Sequence, residues 1–197
     1  MQMNNDNIES LRKKVKNALK SDHMRYRHTL GVADTCACIA MCYGYDMEKS
    51  YIAGLLHDCA KCIPDEQKIR ECRENNIEIT DIEMKSPYLL HSKLGAFYAK
   101  TIYGIEDSDI CSAIKYHTIG RPAMTMLEKI VFVADYIEPY RNKASNLDYI
   151  RKLTFSDIDK AVLKILTDTL DYLKNKNASI DSQTFDTYNY YKNLAQK

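Results

Sequence analysis

The apolar residues of this 197-residue chain recur at intervals of three and four, and only six glycines and four prolines interrupt them. That interval draws an apolar stripe along a helix, whereas strands need strict alternation. An all-α fold is therefore expected. The pattern predicts helices over Ile8 to Lys20, Met24 to Tyr43, Met47 to His57, Asp65 to Asn75, His91 to Tyr103, Asp107 to His117, Met126 to Ile137, Tyr149 to Leu153, Ile158 to Asn175 and Thr184 to Leu194. Gly44 is placed to cap the second of these, Thr80 and Glu83 have the spacing of a capping box, and Pro87, Pro122 and Pro139 disfavour helix continuation. No internal repeat, low-complexity tract or Pro/Ser-rich linker is visible, and 45% apolar content can build one sizeable core, so residues 1–197 are expected to form a single domain.

Lys plus Arg at 28 against Asp plus Glu at 27 leave a net charge of +1, which gives no global attraction to nucleic acid or to an anionic membrane. Met1 to Asn7 is polar and has no signal-peptide h-region. No apolar run approaches the roughly 20 residues that cross a bilayer, so a cytoplasmic protein is expected. An odd number of cysteines, seven, suits reduced thiols. Cys59 and Cys62 form a C-x-x-C with no second such pair to complete a four-thiolate zinc site, and Cys36, Cys38 and Cys42 read as small core residues.

The informative positions are ionisable residues set in apolar helical text. Ala53-Gly54-Leu55-Leu56 runs into His57-Asp58, and Ile130 to Ala134 runs into Asp135. A buried carboxylate is costly unless it is paired or bound to a cation. Of five histidines, His28, His57, His91 and His117 fall in predicted helices or at their edges, while His23 precedes its helix and reads as a surface residue. With Asp58 and Asp135 they supply nitrogen and oxygen donors suited to iron, manganese, cobalt or zinc, and no matching thiolates, which favours a hydrolytic over a structural metal. Adjacent helical residues project about 100° apart, so His57 and Asp58 can flank a metal while two other helices deliver His28 and Asp135. Four ligands leave coordination positions open for water and substrate.

The series His28, His57-Asp58, Asp135 resembles the H…HD…D signature of the HD phosphohydrolases, a helical-bundle superfamily. Four segments resemble the bacterial YqeK family more narrowly: Arg25-Tyr26-Arg27-His28-Thr29-Leu30-Gly31-Val32, Gly54-Leu55-Leu56-His57-Asp58-Cys59-Ala60-Lys61, Ala113-Ile114-Lys115-Tyr116-His117-Thr118-Ile119-Gly120 and Ala134-Asp135-Tyr136-Ile137-Glu138-Pro139-Tyr140-Arg141. The tail from Ile180 to Asn189 is similar to the end of that family, but it reads Gln183-Thr184 where the family often has proline before the threonine.

The resemblance implies symmetrical hydrolysis of diadenosine tetraphosphate to two ADP at an iron site, with an HD core over about residues 24–141 and helices from 149–197 packed on it. It implies His28, His57, Asp58 and Asp135 as metal ligands and His57, Asp58 and Lys61 as catalytic groups. Arg25, Lys61 and Arg141 are the expected polyphosphate contacts, with Asp135 beside them. His91 and His117 either hold a second metal bridged by Asp58 or donate hydrogen bonds to phosphate together with Thr118, and the second use is favoured. Ile180, Asp181, Ser182 and Gln183 are candidates for part of a nucleotide pocket. Hydrolysis of another nucleotide by the same site, or a nucleotide sensor with little turnover, are the alternatives. Fifteen tyrosines and an amphipathic C-terminal half are compatible with a homodimer.

Overall fold

The computed structural model describes residues 5–142 and 144–196, and all structural statements concern these. They form helices α1 (Asn5–Ala18), α2 (His23–Cys42), α3 (Met47–Leu56), α4 (Asp65–Glu74), α5 (Asp81–Lys85), α6 (His91–Thr101), α7 (Ser108–Tyr116), α8 (Met126–Ile137), α9 (Leu147–Thr154), α10 (Ile158–Asn175) and α11 (Ser182–Leu194), with a 3₁₀ turn over Pro87–Leu90. No strand occurs among the described residues, so the all-α expectation holds. No helix is long and apolar enough to cross a membrane.

Aspartates start many of these helices. Asp22, Asp46, Asp157 and Asp181 each accept an N–H from the first turn of α2, α3, α10 and α11, and Asp107 accepts two at the start of α7. Each carboxylate satisfies orphan donors and complements the positive end of the helix dipole. Gly44, at φ 63°, follows α2 in the left-handed region, as a C-terminal cap requires.

The span between α4 and α6 departs from expectation. Thr80 and Glu83 do form a reciprocal capping box, but it opens a helix of five residues, α5, which runs into the 3₁₀ turn begun by Pro87. Neither element is long enough to show a period. A second capping box, Thr125 with Glu128, starts α8 and has the same spacing. Cys36 is fully buried, but Cys38 and Cys42 are exposed on α2, so the apolar text around them does not make them core residues.

The main core joins α1, α2, α3, α7, α8 and α10 through residues such as Val15, Ile39, Leu55, Ile114, Ile130 and Leu166. The tightest approach is between α2 and α3. A Cβ on Gly54 would come within 2.9 Å of Ala33 Cα and 2.8 Å of Cys36 Sγ, so only glycine lets the two backbones meet there. This contact sets the end of α3, and with it His57-Asp58, against α2.

Candidate metal centre

Five helices deliver ionisable side chains to one buried place. His28 comes from the second turn of α2, His57 and Asp58 from the turn after α3, His91 from the first position of α6, His117 from the residue after α7, and Asp135 from the last turn of α8. His28 Nε2 lies 2.9 Å from Asp135 Oδ1 and 3.9 Å from Asp58 Oδ2. His57 Nε2 lies 3.3 Å from Asp58 Oδ2 and 3.8 Å from Asp135 Oδ1. On the other side of the same carboxylate, Asp58 Oδ1 is 3.2 Å from His91 Nε2 and 3.8 Å from His117 Nε2. Asp58 therefore faces two pairs of imidazoles.

The backbone fixes which nitrogen of each ring carries the proton. His57, His91 and His117 each place Nδ1 on the carbonyl three residues back, Gly54 at 2.6 Å, Tyr88 at 2.6 Å and Ile114 at 2.7 Å. A carbonyl only accepts, so Nδ1 must donate, and each Nε2 faces the centre, where the neutral ring presents a lone pair. His28 sits between two carboxylates, its Nδ1 3.0 Å from Oε1 of Glu138, which is 1% exposed, and its Nε2 facing Asp135. His91 Nε2 and His117 Nε2 come within 3.1 Å of each other. His28 Nε2, His57 Nε2 and Asp58 Oδ1 are buried with no hydrogen-bond partner, despite the short separations.

Protonation does not resolve the crowding at His91 and His117. Burial holds His91 below the ordinary imidazole range, and burial with the His57 and His91 neighbours pushes His117 down to about 3. His57 shifts the other way, because Asp58 and Asp135 outweigh its burial. Both carboxyls stay well below their usual range although burial opposes ionisation, Asp58 through His57 and His91, and Asp135 through His28, His57 and Arg141. Ionised carboxylates and inward lone pairs are what a cation needs. Three sets of donors, His28/His57/Asp58, His57/His117/Asp135 and Asp58/His91/His117, have atoms mutually within 4.8 Å and could hold one. Cys59, next in sequence to Asp58, turns away to Gly95 O, and burial keeps its thiol protonated.

Cationic groups line the edge of this centre. Arg25 reaches Asp58 Oδ2 at 2.8 Å, and Arg141 reaches Asp135 Oδ1 at 2.8 Å. Lys61, in the turn after α3, lies 3.1 Å from His91 Nε2 and 3.8 Å from Asp58 Oδ1, and burial lowers its pKa. Thr118 Oγ1 lies 3.2 Å from His117 Nε2 and 3.4 Å from His91 Nε2. In the tail, Asp181 caps α11, and Gln183 donates to the carbonyl of Gly120, two residues beyond Thr118. Asp181 and Gln183 line a cleft of about 550 Å³ with Ser92, Lys93, Phe97 and Tyr116, whereas Ile180 and Ser182 do not line it.

Sequence reasoning overlooked the residues that hold the others. Glu138 orients His28, and its second oxygen accepts the backbone N–H of Tyr140 at 2.7 Å. A Cβ on Gly31 would come within 2.5 Å of Glu138 Oε2, so the glycine makes room for that carboxylate. Arg151 donates to the carbonyls of Ile137, Glu138 and Arg141, fixing the turn that carries Glu138 and Arg141. The signal for Glu138 was present: it extends the same apolar run as Asp135 and was open to the same argument about a buried charge.

An all-helical bundle with this His/Asp centre is of the HD class, and the HD domain family matches residues 25–140, so the chain belongs to that family. HD domain hydrolases bind divalent metal, and this cluster can hold one. Its relatives are more specific. The chain is 39% identical to a protein of Halalkalibacterium halodurans over 84% of this chain and 87% of that one, and 39% identical to a Bacillus subtilis protein over 84% and 88%. A Staphylococcus aureus protein is 35% identical over 94% of each chain. All three are named symmetrical bis(5'-nucleosyl)-tetraphosphatase. A crystal structure from Clostridium acetobutylicum, described as a predicted HD superfamily hydrolase involved in NAD metabolism, superposes with a TM-score of 0.90 at 38% identity, over 96% of this chain and 98% of that one.

Proposed function

We propose that the chain is a symmetrical bis(5'-nucleosyl)-tetraphosphatase, cleaving diadenosine tetraphosphate to two ADP at a metal held by His28, His57, Asp58 and Asp135. The observation that carries the hydrolase reading is the convergence of four imidazole Nε2 atoms on two carboxylates held ionised in a buried place. The relatives, each matched over most of its length, support the substrate. Iron is the expected metal by resemblance, and the nitrogen and oxygen donors also suit manganese, cobalt or zinc. A divalent metal supplies Lewis acidity and a hydroxide nucleophile near neutral pH.

The remaining chemistry belongs to the chain. Phosphoanhydride cleavage depends on positioning and on stabilising charge across the phosphoryl oxygens. Arg25, Lys61, Arg141 and Thr118 now contact the ligand atoms themselves, and a cation in the centre would release their donors to the polyphosphate. For His91 and His117, a second cation with Asp58 fits better than hydrogen bonds donated to phosphate. Their Nδ1 protons are committed to backbone carbonyls, and burial disfavours the second proton that Nε2 would need in order to donate. Asp181 and Gln183 then contribute to the pocket for one nucleoside through the cleft beside Ser92 and Tyr116, with Ile180 and Ser182 adjoining them in the chain.

Anaerobic purification, metal analysis and chromatography of early products test this reading. The metal-loaded protein should release ADP alone from diadenosine tetraphosphate. AMP and ATP in equal amounts would overturn symmetrical cleavage, and binding without turnover would leave a nucleotide sensor.

A further inference from the structure

Asp58 divides the groups of the site between its two oxygens. Oδ1 faces His91, His117 and Lys61, and Oδ2 faces His28, His57 and Arg25, with Asp135 and Arg141 beyond. The cleft with Ser92 and Tyr116 in its wall adjoins the His91 and His117 end in sequence. Tyr140 lies on the side of Glu138 and Arg141. It stands next to Arg141 and two residues after Glu138.

Tyr140 is 49% exposed, yet it is held on several sides. The guanidinium of Arg27 lies over one face, 3.8 Å from the ring centroid. A Cβ on Gly31 would come within 3.2 Å of Tyr140 Cδ2, so the ring edge rests on α2, and the Tyr140 backbone N–H is bound to Glu138 Oε2. Arg25, His28 and Gly31 recur every three residues and share one stripe of α2. Tyr140 therefore lies on the stripe that carries the phosphate-facing Arg25 and the metal-facing His28, one turn further on. A ring so restrained loses little freedom when a second planar group stacks on it.

We propose that Tyr140 is the stacking platform for one nucleobase of the dinucleotide, with Arg141 and Arg25 taking the phosphates of the same half. The inference rests on the dinucleotide reading above and deepens it. The cleft at the His117 end receives one nucleoside and Tyr140 receives the other, which is how an uneven site handles a symmetrical substrate. The competing role is mechanical: the Arg27–Tyr140 pair would only pin the 138–141 turn over His28.

Metal-loaded Tyr140→Ala, Tyr140→Phe and Tyr140→Trp proteins separate the two. Loss of a stacked base should raise the KM for diadenosine tetraphosphate about fivefold to a hundredfold in Tyr140→Ala. The inhibition constant of inorganic pyrophosphate, which has no base, should not move, and Tyr140→Phe should restore the KM. The chain has no tryptophan, so Tyr140→Trp reports alone, and saturating ADP should quench its fluorescence where pyrophosphate does not. A pin would move the dinucleotide and pyrophosphate constants together, and that result, or an unchanged KM, overturns the proposal. Should the wild type fail to cleave the dinucleotide, the functional reading falls, and the tryptophan response to ADP still decides the role of Tyr140.

Discussion

Glu138 links the outermost part of the centre to its innermost. One of its oxygens fixes the His28 ring and the other fixes the backbone of Tyr140, so ligand direction and the placement of Arg141 depend on a single buried carboxylate. Glu138→Gln keeps the size and one acceptor but gives up the charge that makes His28 a stronger donor. The variant should fold, and its metal affinity should fall about tenfold to a hundredfold, read by titration against a competing chelator. Unchanged affinity would mean that the ring is held by packing alone. The ligand residues were legible because a charge inside apolar helical text demands a partner, which singled out His57-Asp58 and Asp135. The groups that orient them were not, since Gly31 and Arg151 have their meaning only in the close approach of the 137–141 turn to its neighbours. The direction of the His91 and His117 lone pairs was equally hidden. It depends on which backbone carbonyl each Nδ1 meets, and no spacing in the sequence records that.

At the scale of elements, the long helices were readable because each has an apolar stripe and most have an aspartate or threonine at the start. The stretch around α5 and the 3₁₀ turn was not, because five and four residues are too few to display a period, and the Thr80–Glu83 signature says where a helix begins but not how long it lasts. The α2–α3 crossing was likewise invisible. Gly54 reads as one small residue in an apolar run, yet it is where the backbones meet. Gly54→Ala would push its new methyl against Ala33 and Cys36, and such overpacking should cost about 1–3 kcal/mol. The carbonyl of Gly54 also accepts the His57 Nδ1 proton, so metal affinity should fall along with the melting temperature. A variant that loses stability but binds metal as tightly as the wild type would show that the turn after α3 adjusts independently of the helix.

For the whole molecule, the centre is the place where α2, α3, α6, α7 and α8 come together through their ionisable groups rather than only through apolar packing. Inward lone pairs and two ionised carboxylates oppose one another there, and a cation turns that opposition into attraction between five helices. Metal binding should therefore be linked to global stability. An ion that binds only the folded chain, at a hundred times its dissociation constant, adds about 2.7 kcal/mol. For a chain of this length that corresponds to a rise in Tm of roughly 5–10 °C. Thermal unfolding with chelator, and again after metal is restored, checks it: Tm should fall by that amount and recover, with slowed hydrogen exchange returning first in the residues that follow α3 and α7. Asp135→Ala supplies the control, because a chain that has lost a ligand should show a smaller response to the same chelator. If chelation empties the protein of metal and Tm does not move in the wild type, the ion is held elsewhere or equally well by the unfolded chain, and the buried, unpartnered atoms of His28, His57 and Asp58 would need another explanation.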